Sequence, residues 1–316
     1  REMSIAFLYA GQGSQHAGMG KDLYESYPEF REVYEGIELP FDLRRLSFED
    51  PEGLIHETKY TQPALVAFAC GVTAILRGMG FRADYAAGLS LGEYSALSYA
   101  GSIDARTAVQ LAAFRGDAMQ RASQGIACGM SAVLGLSEEK LSEACERASE
   151  KGLVSICNYN CPGQLVIGGE SEAVEEAGRI ALELGAKRVI PLKVSGPFHT
   201  ALMKSAGDAL SEYFKKIHFK TPECTVLYNF LGRERREGDP EITELLIEQV
   251  QKPVRMESIL RELLGKGVRS FYEIGPGRTL SGFVKKTAKA MEIEEVEITS
   301  LETAEEIEAL RERMRG

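Results

Sequence analysis

The chain has 316 residues, of which 44% are hydrophobic and 27% charged, a balance that suits a globular protein with one large core and a small satellite. Its 37 Lys and Arg against 47 Asp and Glu leave a net charge of −10, which argues against nucleic acid as a partner. No charged and apolar opening segment and no apolar stretch of about 18 residues stands in it, so neither a secretory signal nor membrane association is expected and a cytoplasmic location is.

Ile5 to Tyr9 is a short apolar run that reads as a buried strand. It feeds the glycine-rich loop Ala10-Gly11-Gln12-Gly13-Ser14-Gln15. Met19 to Tyr34 is broadly helical. Thr61 to Gly78 reads as a strong helix, with Thr61 as its cap and Pro63 in its first turn. Ala83 to Ala87 is a strand that runs into Gly88-Leu89-Ser90-Leu91-Gly92-Glu93. Leu91 to Tyr99 follows as helix, stopped near Gly101, and Asp104 caps a helix to about Arg121. Strands alternating with helices predict a parallel sheet covered on both faces.

A different order begins near Gly125. Gly129 to Leu136 reads as strand, Ser137 to Ser149 as helix, Val154 to Asn158 and Gln164 to Gly168 as strands across a Pro162-Gly163 turn. Ser171 to Leu184 reads as helix and Arg188 to Leu192 as strand. That β-α-β-β-α-β order is the split pattern of a ferredoxin-like unit. The first pattern then resumes with helix at Ala201 to Lys215, strand at Cys224 to Tyr228 and helices at Glu241 to Gln249 and Met256 to Leu264. A strand at Arg269 to Glu273 and a helix from Thr279 follow, while Arg233 to Asp239 reads as a solvated loop or hairpin. The expected fold is α/β: a large α/β-hydrolase-like domain with a parallel sheet, residues 3–126 and 192–316, interrupted by a ferredoxin-like subdomain, residues 127–191. Arg1 and Glu2, ahead of Met3, read as a remnant outside it.

Gly88-x-Ser90-x-Gly92 between a strand and a helix is the pattern of a nucleophile elbow, where the serine sits on a tight, strained turn and its neighbours must leave the backbone room. A serine nucleophile needs a base. Of the four histidines, His56 and His218 stand in polar surroundings and His16 beside the glycine-rich loop. His199, in Ser195-Gly196-Pro197-Phe198-His199 ahead of a helix, is the best partner. The group that orients it stays open among Asp208, Asp239, Glu273, Asn229 and Gln249, because an amide or a backbone carbonyl can accept the imidazole proton as well as an acid can. The N–H of Leu91 and one from Gly11-Gln12-Gly13 suit an oxyanion. That loop lacks the Lys-Ser/Thr of a phosphate-binding P-loop. Arg115, inside an apolar helix, is either packed or a bidentate clamp for a carboxylate. The six cysteines form no second close pair beside Cys157 and Cys161, so no metal is expected.

Gly11-Gln-Gly-Ser-Gln15, Gly88-Leu-Ser-Leu-Gly-Glu93, Arg115-Gly116, Pro197-Phe-His-Thr200, Glu273-Ile-Gly-Pro-Gly277 and Asn160-Cys-Pro-Gly-Gln164 together resemble the malonyl-CoA:acyl carrier protein transacylase family, from about Ile5 to Lys286. The resemblance implies ping-pong transfer of malonyl from malonyl-CoA to holo acyl carrier protein, with Ser90 as nucleophile and His199 as base. It implies oxyanion donors at Gln12 and Leu91, a malonyl carboxylate on Arg115, and a carbonyl at Gln249 orienting the histidine. It places Asn160, Gln164 and Asn229 near the cleft and makes Phe198 a narrowing residue that favours malonyl over branched acyl groups. It implies no cofactor. The family usually has histidine where this chain has Leu89, which removes a polar group but not the base. The alternatives are a trans-acting polyketide acyltransferase and, further off, a serine thioesterase or esterase. A monomer is expected. Docking of an acidic carrier protein needs a local basic rim, for which Lys187, Arg188, Lys193, Lys204, Lys285 and Lys286 are candidates.

Overall fold

The computed structural model describes residues 3–193 and 196–316; Arg1 and Glu2, and Val194 and Ser195 ahead of the His199 loop, lie outside the described residues. The chain runs β1 (Ile5–Tyr9), α1 (Lys21–Ser26), α2 (Pro28–Glu35), α3 (Leu43–Phe48), α4 (Thr58–Gly78), β2 (Tyr85–Gly88), α5 (Gly92–Tyr99) and α6 (Ala105–Ser123). It continues with β3 (Cys128–Leu134), α7 (Glu138–Ala148), β4 (Val154–Cys161), β5 (Gln164–Glu170), α8 (Ser171–Glu183) and β6 (Arg188–Pro191). Then come α9 (Lys204–Phe214), β7 (Thr225–Tyr228), β8 (Arg233–Glu234), α10 (Ile242–Gln249), β9 (Val254–Arg255), α11 (Met256–Gly265), β10 (Ser270–Ile274), α12 (Thr279–Ala290), β11 (Glu297–Leu301) and α13 (Ala304–Arg315).

Six strands form the main sheet in the order β11-β10-β1-β2-β7-β8. All pairs are parallel except β7 with β8. The alternation of β1 sorts its side chains to two faces: Phe7 and Tyr9 join the core under α4 to α6, and Ala6 and Leu8 the core under α11 and α12. Because the sheet grows outward from β1 in both directions, the loops after β1, β2 and β10 open together at its carboxyl edge, where such sheets hold their sites. The second sheet has the order β6-β3-β5-β4-β9. Its four strands from 128 to 191 pair antiparallel with one another. They have a core of their own with α7 and α8, including Val133, Leu141, Ile167 and Ile180. The opposite face lends Met130, Cys157 and Val166 to the main core.

Several elements differ from the sequence expectation. The helix expected from Met19 to Tyr34 is two, because Tyr27 is extended (φ −126°) and Pro28, suited to a first helical position, starts the second. Thr61 is not a cap: α4 begins a turn earlier, and the Thr61 hydroxyl donates to the carbonyls of Ile55 and Glu57. Ala201 to Lys215 divides into a 3₁₀ turn, Ala201–Met203, and α9. The charged stretch after Gly232, expected as a loop or hairpin, does start as β8, the second arm of a hairpin on β7. β9, from beyond the 127–191 segment, pairs in parallel with β4, so the second sheet is not confined to that segment. Asp104 caps α6 through Thr107 N as its sequence position predicts, and Ser137, expected inside its helix, caps α7 through Lys140 N instead.

The elbow needs its glycines because backbone passes against backbone. A Cβ on Gly88 would stand 1.9 Å from the Gly92 carbonyl carbon, and one on Gly92 2.2 Å from the Tyr9 carbonyl oxygen. Gly92→Ala is therefore expected to cost about 3 kcal/mol or more, since neither strand nor helix can yield. Gly129→Ala, which meets nothing within 4 Å, is the control. Urea unfolding should show a large drop in midpoint for the first and little change for the second.

Candidate active site

Ser90 stands at the turn between β2 and α5 with φ 53°, a left-handed conformation that a side-chain-bearing residue rarely adopts. Asn229, just past β7, holds it there. Its Oδ1 accepts the Ser90 N–H at 2.7 Å and its Nδ2 donates to the Gly88 carbonyl at 2.7 Å. The Asn229 N–H in turn donates to Glu93 Oε1 at 2.6 Å. Glu93 is fully buried and its Oε2 has no partner among the described residues. Burial pushes its carboxyl up to about 8, so it is largely protonated at neutral pH.

His199 also has a positive φ, 62°, and lies 4% exposed. Its N–H bonds the Val250 carbonyl, which ties the loop to the end of α10. Its Nδ1 lies 2.7 Å from the backbone carbonyl of Gln249, and its Nε2 2.7 Å from Ser90 Oγ. A carbonyl can only accept, so Nδ1 carries the proton and Nε2 is left to accept the serine hydroxyl. Burial, and then the neighbouring Arg115 charge, lower the imidazole to about 4. The imidazole is neutral across the physiological range. The acid limb of kcat/KM is therefore expected near pH 4 rather than near the ordinary 6.5, falling about tenfold per pH unit below it. Because the folded value is depressed, the unfolded chain takes up this proton first. Stability is lost as pH falls from 6.5 through 4, by about 3 kcal/mol at most for this group.

Arg115 projects from α6 and is fully buried. Its Nη2 donates to Ser90 Oγ at 3.2 Å and to Gln249 Oε1 at 2.9 Å, and its Nη1 to Gln62 Oε1 at 2.9 Å. The guanidinium faces the Tyr94 ring at 5.4 Å, and its Nε has no hydrogen-bond partner among the described residues. Gln249 Nε2 donates to the Ser90 carbonyl at 2.8 Å, so that one residue touches serine and arginine by its side chain and histidine by its backbone.

A cavity of about 250 Å³ opens above Ser90 and His199. Gln12, Leu89, Phe198 and Asn160 line it from four separate segments, and Thr279 and Phe283 close it from α12. Asn160 Oδ1 is buried without a partner among the described residues. The N–H groups of Gln12 and Leu91 donate to none of the described residues. Leu91 immediately follows Ser90, and the Gln12 side chain is held by Thr58 Oγ1 at 3.0 Å. Gln164 begins β5 beyond the Pro162-Gly163 turn and does not line the cavity; Asn229 and Arg115 lie behind Ser90 rather than on the cavity wall. None of the acids considered as orienting groups touches His199: Asp208 pairs with Lys204, Asp239 with Arg233, and Glu273 accepts from Leu280 and Ser281. His16 pairs with Glu302 and His56 with Gln15, both away from Ser90. Gln62 and Glu93 are the residues that sequence reasoning missed. Glu93 stood inside a quoted motif without a role, and Gln62 carried no signal beyond a polar residue on an apolar helix.

A strained serine bonded to a neutral histidine at the carboxyl edge of a mostly parallel sheet is the arrangement an α/β enzyme with a serine nucleophile would need. Residues 6–308 match the acyl transferase domain family, and the chain belongs to it, within the malonyl CoA-acyl carrier protein transacylases. It is 40% identical over 312 residues to the malonyl CoA-acyl carrier protein transacylase of Bacillus subtilis strain 168, covering 98% of each chain. The crystal structure of the transacylase from Clostridium perfringens ATCC 13124 superposes with a TM-score of 0.92 at 39% identity, over 99% of this chain and 97% of that one. A complex of a type II PKS acyl-carrier protein with its malonyl-transacylase is similar at TM-score 0.90 and 34% identity, over 98% and 99% of the two chains. Among the described residues no helix is long and apolar enough to cross a membrane.

Proposed function

We propose that the protein moves a malonyl group from malonyl-CoA to the phosphopantetheine thiol of holo acyl carrier protein through an ester on Ser90. The observation that carries this is the placement of Ser90 Oγ between a proton acceptor and a cation, His199 Nε2 at 2.7 Å and Arg115 Nη2 at 3.2 Å. Nε2 takes the hydroxyl proton as Oγ attacks the thioester carbon. The oxyanion forms against the Gln12 and Leu91 N–H groups, and the proton passes to CoA sulfur as the C–S bond breaks. The carrier thiol then repeats the sequence in reverse on the ester. The malonyl carboxylate takes the place of the neutral Gln62 and Gln249 amide oxygens on Arg115, exchanging dipolar acceptors for a charge. Phe198 narrows the space beside the acyl α-carbon, and Asn160 offers its unpaired Oδ1 to the pantetheine arm. Gln164 serves at the cleft rim rather than on its wall.

A thioesterase is disfavoured because His199 rests on a carbonyl rather than an acid and because the charged Arg115 lies at the nucleophile. The strand order β6-β3-β5-β4, antiparallel throughout, supports reading residues 127–191 as a ferredoxin-like unit set into a hydrolase-like domain of residues 3–126 and 192–316, with β9 reaching across from the larger part. Carrier protein docks on the exposed basic rim, where Lys286 lies one turn beyond the cavity residue Phe283. The protein acts as a cytoplasmic monomer. Intact mass after incubation with malonyl-CoA tests the scheme: one malonyl adduct is expected, cleared by holo carrier protein. A folded protein that stays unmodified would overturn it.

A further inference from the structure

A second cavity, of about 470 Å³, lies at the other end of the helices that carry the site. It is walled by α4, by the turn from α5 into α6, and by residues 216–220 beyond α9. Tyr99 ends α5, about 12 Å of helix from the elbow, and Asp104 caps α6 about 16 Å of helix before Arg115. The cavity thus shares no residue with the one above Ser90. Its volume is that of an ordinary small-molecule site.

Its charge is the reverse of the chain's. Arg77, Lys216 and Lys220 line it in a protein of net charge −10. Asp104 is the only acid on the wall among the described residues, and its carboxylate is engaged on the Thr107 N–H at 2.8 Å. That bond, with Lys220 and Arg106 nearby, holds it below the usual carboxylate range. Arg77 is fixed at the wall by donation from Nη2 to the Tyr99 carbonyl. Ser102 also lines the cavity. It is 1% exposed and its Oγ has no partner among the described residues. A buried hydroxyl without an acceptor is costly, and Ser102 stands in the cavity wall. Ala105 brings the first turn of the 19-residue α6 to the same wall, where Asp104 already caps it. Val33, Ile103 and Ile217 supply an apolar side.

We infer that this cavity is a second binding site, for a small organic phosphate. Arg77, Lys216 and Lys220 carry the phosphate charge, the Ser102 hydroxyl donates to one phosphate oxygen, and the organic part rests on the apolar side. The inference goes beyond acyl transfer and stands whatever the fate of that reading, since none of these residues belongs to the Ser90 site. Calorimetric titration of phenyl phosphate into the full chain tests it, with and without saturating CoA. One site is expected, indifferent to CoA, tighter than for inorganic phosphate or benzoate. Affinity should fall by about tenfold or more in the Lys216→Glu, Lys220→Glu double variant and less in Ser102→Ala, through the lost charges and the lost donor respectively. Malonyl transfer should be unchanged in both, which also reports that they fold. Absence of saturable binding at millimolar ligand, displacement by CoA, benzoate binding as tightly as phenyl phosphate, or full affinity in the double variant would each overturn the assignment.

Discussion

Ser90→Ala is expected to abolish the malonyl adduct and to lower transfer by roughly 10⁴- to 10⁶-fold, the scale on which serine–histidine units fail when their nucleophile is removed. The variant is a clean one. The elbow is held by backbone and by Asn229, whose bonds run to Ser90 N and to the Gly88 carbonyl, and none of these involves the hydroxyl. Alanine accepts the 53° φ about as well as serine does. What is lost is the common partner of His199 Nε2 and Arg115 Nη2. Binding of malonyl-CoA should survive, since the proposed carboxylate contact is with Arg115 and not with the hydroxyl, so KM or Kd should move far less than kcat. Intact mass and stopped-time transfer to holo carrier protein read the two quantities separately. An adduct that persists in Ser90→Ala would mean that another nucleophile carries the acyl group.

The parts of this site that the sequence disclosed are those where backbone geometry restricts residue type. Gly88 and Gly92 stand where strand and helix touch, and only glycine fits there, so the elbow was visible before the fold. The cap Asp104 was visible for a similar reason, because a single side chain satisfies a helix end. The residues alone left the orienting group open among Asp208, Asp239, Glu273, Asn229 and Gln249, and only the resemblance singled out the Gln249 carbonyl: a backbone oxygen leaves no mark on residue type. Gln62 was hidden because its role depends on α4 packing on α6, which brings Gln62 Oε1 within 2.9 Å of Arg115 across 53 residues of chain. β9 is two residues long, too short to show a period of two. By contrast, α13 had a legible signal that went unused, since Thr303 and Glu306 form a capping box at its start.

Arg115→Ala is expected to cut kcat/KM for malonyl-CoA by roughly 10²- to 10⁴-fold, while acetyl-CoA, which brings no carboxylate, gains ground relative to it. Two charge-assisted hydrogen bonds at about 1.5–3 kcal/mol each give that range. The folded state should tolerate the change. Truncation leaves the Gln62 and Gln249 amide oxygens without their donor, a cost of about 1–3 kcal/mol each, but it also removes a fully buried charge whose Nε has no partner among the described residues. A second readout separates the clamp from a packing role. The Arg115 charge is the second cause, after burial, of the depressed His199 value. Without it the imidazole protonates more easily, so the acid limb of kcat/KM should move up from about 4 toward, but not to, the ordinary value. Arg115→Lys keeps a charge and loses the planar fork. It should leave the acid limb nearly in place while still weakening malonyl discrimination, because an ammonium cannot reproduce the two-pronged contact. A variant that shifted the limb without changing acyl preference would assign Arg115 to the electrostatics of the base alone and leave the malonyl carboxylate to another group.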